Sequence, residues 1–217
     1  GFSIVKFEGS DSTQTVGHGL SEAPELLLGV KGIGGTSNWP VYCKYLNGGT
    51  DPEDYYVYLA ETSAESASAA FSNDTAPTAS VFTIGATGSP SADTPYVAYC
   101  FHSVEGYSKI GSYVTVAGAA TNGLGNFIYT GFKPAWFLNK MISGPDGAGG
   151  WFLYDNKRNA YNLTGTYLVP SANYADEVAT QGWDFLSNGI KLRASFSANT
   201  HIYMAFAESP FKTSNAR

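Results

Sequence analysis

Hydrophobic and polar residues alternate in short runs along the whole chain, and turn-forming residues separate the runs. A period of two bounded by Gly, Pro, Asn and Asp predicts β-strands. Ile4-Val5-Lys6-Phe7 is the first such run, closed by Gly9-Ser10-Asp11-Ser12. Thr15–Leu20 is a short strand with glycine breaks. Leu26-Leu27-Leu28-Gly29-Val30 is apolar at every phase, which predicts a central strand covered on both faces. Trp39–Tyr45 follows, with Pro40 near its start, where a missing N–H is tolerated. Tyr55–Leu59, Ser80–Ile84 and Tyr96–His102 complete the first set. Between them, Glu61–Thr78 is rich in Ser and Ala with poor periodicity. It predicts mostly loop, with a short helix around Glu65–Phe71 as the alternative.

The second half runs in the same order. Lys109–Val116, Phe127–Phe132, Lys133–Leu138, Gly150–Tyr154 and Thr166–Val169 read as strands. A polar stretch, Ser171–Gly182, precedes Trp183–Leu186, Gly189–Leu192 and the closing run His201–Glu208. The two ends of the halves match at one spacing: Gly1-Phe2-Ser3 with Gly106-Tyr107-Ser108, and Phe101 with Phe206, each 105 positions apart. Such self-similarity is the mark of a duplicated unit. The expectation is an all-β protein of two tandem β-sandwich halves, jelly-roll-like and related by internal duplication, residues 1–105 and 106–217. Glu105-Gly106 leaves no flexible linker, so the halves are expected to pack tightly. Leu27, Val41, Phe82, Phe101, Phe137, Leu153, Phe185 and Phe206 are the predicted core.

Composition narrows the partners. Charged residues are 14% of the 217 and the net charge is −6. Phosphate neutralisation needs clustered Lys and Arg, so neither nucleic acid nor an anionic membrane surface is expected as a partner. No apolar run approaches the ~20 residues of a membrane-spanning helix. A chain that starts with Gly1, at a repeat boundary, reads as a piece of a longer protein. Cys43 and Cys100 sit in apolar, strand-like runs and read as buried thiols, although their spacing leaves a bridge open.

Candidate chemistry is sparse. Gly32-Ile33-Gly34 is followed by a strand pattern rather than a helix N-terminus, so it reads as a turn and not a phosphate loop. His18, His102 and His201 have no ligand partner at metal spacing, and the last two fall at strand ends, where a half-exposed imidazole is expected. Asp51, Glu53 and Asp54 cluster in a turn without the spacing of a calcium loop, and Asp146 and Asp155-Asn156 read the same way. Glycoside hydrolysis needs paired carboxylates. Here they fall in turns, except Asp184 in a strand-like run. No catalytic residue, metal ligand or cofactor is expected. The Tyr and Trp surplus fills cores first, and a minority could form a glycan-binding or protein-binding face.

Several segments carry a family resemblance. They are Val97–Lys109, Tyr129–Trp136, Asp155–Asn159, Phe185–Gly189, Ile202–Phe211 and Thr15–Leu20, which together span most of the chain. They resemble a duplicated domain of unknown function found in virion structural and tail-associated proteins of marine tailed phages. The resemblance implies a non-enzymatic virion module: a tail-fibre, tail or capsid-surface domain for self-assembly, host-surface attachment or both. It implies a homo-oligomer, a trimer if the parent is a fibre, with other virion proteins or a host-surface glycan as partners. The alternative is a glycan-binding or glycan-cleaving sandwich protein, such as a secreted lectin or polysaccharide depolymerase.

Overall fold

A computed structural model of the chain describes residues 1–32, 38–85, 94–117, 125–159, 161–193 and 197–209. Ile33 and Gly34 of the expected glycine turn lie outside them. The protein is all-β and its strand ladders are antiparallel throughout. It divides into two compact units, Gly1–His102 and Ser103–Arg217.

In the first unit the strands are β1 (Phe2–Glu8), β2 (Gln14–Gly17), β3 (Leu26–Gly32), β4 (Pro40–Cys43), β5 (Tyr55–Tyr58), β6 (Ser66–Ala67), β7 (Val81–Ile84) and β8 (Pro95–Phe101). Six form one sheet in the order β1-β8-β3-β4-β5-β6, and β2 pairs with β7. The core between them contains Val16, Leu27, Phe82, Ile84 and Cys100. The Ser/Ala-rich stretch supplies one helical turn, α1 (Ala69–Ser72). Phe71 plugs that turn into the core, and its carbonyl accepts from Gly85 N at 2.9 Å.

Strand β3 is central and covered on both faces: the adjacent residues Leu26 and Leu27 are both buried. It is not regular, however. Its register with β8 shifts between Leu28 and Lys31, and Gly29 takes a φ of 62° there. The Trp39 ring lies so close that a Cβ on Gly29 would meet its Cε3 at 2.0 Å. Only glycine meets both demands.

The second unit comprises β9 (Ser108–Val114), β10 (Phe127–Tyr129), β11 (Pro134–Ser143), β12 (Trp151–Asp155), β13 (Thr164–Tyr167), β14 (Glu177–Leu186), β15 (Gly189–Leu192) and β16 (Thr200–Ala207). They form two four-stranded sheets, β12-β11-β16-β9 and β10-β15-β14-β13. Phe137, Trp183, Phe185, Ile190 and Tyr203 belong to the core between these sheets, giving a sandwich-like arrangement. Strand β14 starts inside the stretch whose polarity suggests a loop, because Glu177 and Val178 pair with Tyr167 and Thr166.

The main sheets of the two units share a strand order. In each, the first strand pairs with the last, the last with the third, and the third with the fourth. Leu26 lies opposite Phe101, and Trp136 opposite Phe206. The first strand differs by one residue from the sequence match: Phe2 faces Phe101, but Ser108 rather than Tyr107 faces Phe206. His102 N donates to Gly1 O at 2.9 Å, and Ala207 N to Tyr107 O at 2.8 Å.

Five of the eight predicted core residues are buried: Leu27, Val41, Phe82, Phe137 and Phe185. Phe101, Leu153 and Phe206 are only half-buried. At strand ends Phe101 stacks on the exposed ring of Phe2, and Phe206 meets the exposed ring of Tyr107 edge-to-face.

Candidate functional site

Strand β11 reads Phe137-Leu138-Asn139-Lys140-Met141, and alternation sends Phe137, Asn139 and Met141 to the inner face of its sheet. Phe152 and Tyr154 of β12, His201 and Tyr203 of β16, and Tyr113 of β9 belong to that same interior. The opposite sheet contributes Tyr167, Trp183 and Leu192. Where the aromatic rings do not fully meet, a cavity of about 480 Å³ opens between the sheets. Ligand pockets span roughly 300–1,000 Å³.

Trp183 is the hub of the aromatic wall. Its ring centroid lies 5.0 Å from Phe137, 6.0 Å from Tyr113 and 6.1 Å from Tyr154, each edge-to-face. Desolvation pushes the Tyr154 hydroxyl up to about 12, against a hydrogen bond with Trp183 that lowers it. Edge-to-face packing of this kind is favoured by the ring quadrupoles.

One rim of the cavity is braced by polar contacts. Asn199 N donates to Thr115 Oγ1 and Thr115 N to Asn199 O, both at 2.9 Å. Asp146, from the turn after β11, accepts from Asn199 Nδ2 at 2.7 Å and Ser197 Oγ at 2.8 Å. Those bonds hold its carboxyl below the ordinary aspartate value. Gly144 lets this turn close on Asn199: its φ is 140°, and a Cβ there would lie 2.4 Å from Asn199 Oδ1.

Inside the cavity two polar side chains have no hydrogen-bond partner among the described residues. His201 is 8% exposed, and neither ring nitrogen is hydrogen-bonded. Its burial drives the imidazole down to about 4, so it is neutral near pH 7. The Tyr113 hydroxyl is likewise buried and unbonded, and desolvation raises it well above the ordinary tyrosine value. Asn139 is buried beside them, its amide 3.4 Å from Phe152 O.

The other candidates from the sequence are not brought together. His18 Nδ1 accepts from Leu20 N at 3.1 Å, so Nε2 carries the proton and donates to Thr78 O at 3.0 Å. That is a structural clip. His102 is 6% exposed and lies 3.5 Å from Ser21 Oγ. The expectation of half-exposed imidazoles at positions 102 and 201 therefore fails, because both strand ends are covered. Asp51, Glu53 and Asp54 form a tight turn with Asp51 at a φ of 42°. Asp155 caps its own turn through Lys157 N and Arg158 N, both at 2.9 Å, and pairs with Arg158. Asn156 Nδ2 donates to Glu208 Oε1 at 2.8 Å. Asp184 pairs with Arg193 at 2.5 Å. Among the described residues, no three His, Cys, Asp or Glu side chains converge as metal ligands. Cys43 and Cys100 are free and buried.

Sequence reasoning missed the cavity because its walls come from seven strands. A usable signal was present: Asn139 and His201 are polar residues at inward phase in strands whose other inward positions are apolar or aromatic.

The chain belongs to the family described as Domain of unknown function (DUF7483), which it matches over residues 1–210. No curated protein and no solved structure matches it.

Proposed function

We propose that this chain is a non-enzymatic attachment module of a virion surface protein, in a tail fibre, tail or capsid. In this reading its second unit binds a host-surface group. The observation that carries the reading is the aromatic cavity, a concave site on rigid strands with a few placed polar groups. The virion context rests on the resemblance of Val97–Lys109 and the other quoted segments to phage tail-associated domains. The shared strand order of the two main sheets supports a tandem duplication, and the one-residue offset of Ser108 is a local slip within it.

Cleavage is the weaker reading. Asp146 is the one carboxylate among the described lining residues, and its oxygens are engaged by Asn199 and Ser197. Glycoside hydrolysis needs two carboxyl groups across the bond. Self-association is part of the proposal, as a homo-oligomer that is a trimer if the parent is a fibre. Strand β1 lies at a sheet edge and exposes Phe2 and Ile4, which suits such a contact.

Three measurements test the reading. Antibody to the chain should label intact purified particles, and added soluble protein should slow particle adsorption to host cells. A chain found only in the culture medium would sink the virion role and leave a free lectin. Light scattering at micromolar concentration should give a multiple of the single-chain mass, and a monomer would remove the self-assembly part.

A further inference from the structure

We infer that the cavity of the second unit is a binding site for one neutral pyranose, stacked on its aromatic walls and hydrogen-bonded by His201 and Tyr113. The inference rests on the attachment reading for the origin of the sugar. The site itself rests on three buried polar atoms that line one cavity with no hydrogen-bond partner among the described residues: Tyr113 Oη, His201 Nδ1 and His201 Nε2. Buried polar groups in native proteins are nearly always paired, so three orphans in one place call for a reason.

The fold does not demand them. Tyr113 and His201 are opposite each other in the β9–β16 ladder. The same ladder position in the first unit, five residues on from the Phe2–Phe101 pair as Tyr113–His201 is from Ser108–Phe206, holds Phe7 and Tyr96. Phe7 puts an apolar ring at that place, half-buried and packed edge-to-face against Phe82 of the core. In the second unit that place adjoins the cavity, and polar edges face into it.

The orphans define the ligand chemistry. A neutral imidazole offers one donor and one acceptor, and a phenol offers both. Their complement must donate and accept, which hydroxyl groups do. A carboxylate or phosphate only accepts. It would also meet the Asp146 charge at the rim, and no Lys or Arg is among the described lining residues. A quaternary ammonium suits aromatic walls but leaves His201 and Tyr113 unmet. A flat apolar ring leaves them unmet as well. A neutral pyranose presents a C–H face to Trp183 or Tyr167 and hydroxyls at its edge, and one ring fits about 480 Å³.

The test uses the whole chain, with ligand-observed NMR and calorimetry. The probes are methyl glycosides of neutral hexoses and N-acetylhexosamines, and neutral polysaccharides that end in the same residues. Sialic acid, choline and indole serve as controls. A neutral glycoside should bind, and Tyr113→Phe and His201→Phe should each weaken it about tenfold without lowering the melting temperature. Binding of the free glycoside points to a soluble sugar as the source. Binding of the polysaccharide alone points to a surface glycan, and either result supports the site. Binding of the controls alone overturns the inference. So does equal sugar affinity in both variants, or no binding up to about 10 mM. A sugar-binding chain absent from particles would sink only the virion reading. A particle-borne chain without sugar binding would sink only this site.

Discussion

Tyr113 and His201 stack across the β9–β16 ladder, ring centroids 4.7 Å apart and planes within 6° of parallel. Their first-unit counterparts, Phe7 and Tyr96, lie 5.8 Å apart at 31°. The second pair is tighter yet carries three unbonded polar atoms. Removing the Tyr113 hydroxyl while keeping the ring should therefore stabilise the free protein. Tyr113→Phe is expected to gain roughly 1 kcal/mol, because a buried unsatisfied group is deleted and the packing stays. Urea unfolding measures it, and a loss of stability would mean that the hydroxyl has a partner.

Stability should fall on acidification through His201. Its folded value is about 4, below the ordinary 6.5. Between those values the unfolded chain binds a proton that the folded chain does not, so stability drops as pH falls from about 6.5 and levels off below about 4. The shift corresponds to roughly 3 kcal/mol. Asp146 remains ionised over most of this window, because its bonds from Asn199 and Ser197 depress its value. The measurement that isolates His201 is the difference in denaturation midpoint between wild type and His201→Phe at pH 7, 5 and 4. Parallel pH profiles would contradict the assignment.

Core truncations should separate two classes of phenylalanine. Phe82 and Phe137 are 1% and 0% exposed, and Phe→Ala at either should cost about 3–5 kcal/mol. Phe101 and Phe206 are half-buried at strand ends, and their truncation should cost about half as much. Equal losses at all four positions would place the last strands deeper than they lie here.

The thiols should be silent in the native state. Cys43 pairs with Leu26 and Cys100 with Leu27, so alternation puts them on opposite faces of one sheet and they cannot bridge. Burial pushes Cys43 up to about 12 and Cys100 to about 11. A thiol reagent at pH 8 should titrate neither until denaturant is added, then both. Fast reaction of either in buffer would show that the strand opens.

The strands were legible because their alternation is local. Leu26-Leu27-Leu28 announces a strand covered on both faces without reference to any other part of the chain. Strand β14 was not legible over Glu177–Thr180, where pairing with β13 rather than side-chain pattern makes the strand. The cavity was illegible for a related reason. Tyr113, Asn139, Trp183 and His201 meet only after two sheets assemble, and no spacing between them is fixed by local geometry. His201 looked like an ordinary strand-end histidine, since burial is a property of neighbours that the sequence does not name.

The hydrogen bonds from His102 to Gly1 and from Ala207 to Tyr107 mean that each unit leaves its sheet beside the point where it began. A block with adjoining ends can be spliced into a host chain at a single surface loop, or circularly permuted, without breaking a ladder. That arrangement makes the unit a transferable cassette. On the proposed duplication, one unit keeps Phe7 and Phe71 packed in its core as scaffold, while the other, with the cavity at Tyr113 and His201, can vary its lining without disturbing its neighbour's fold.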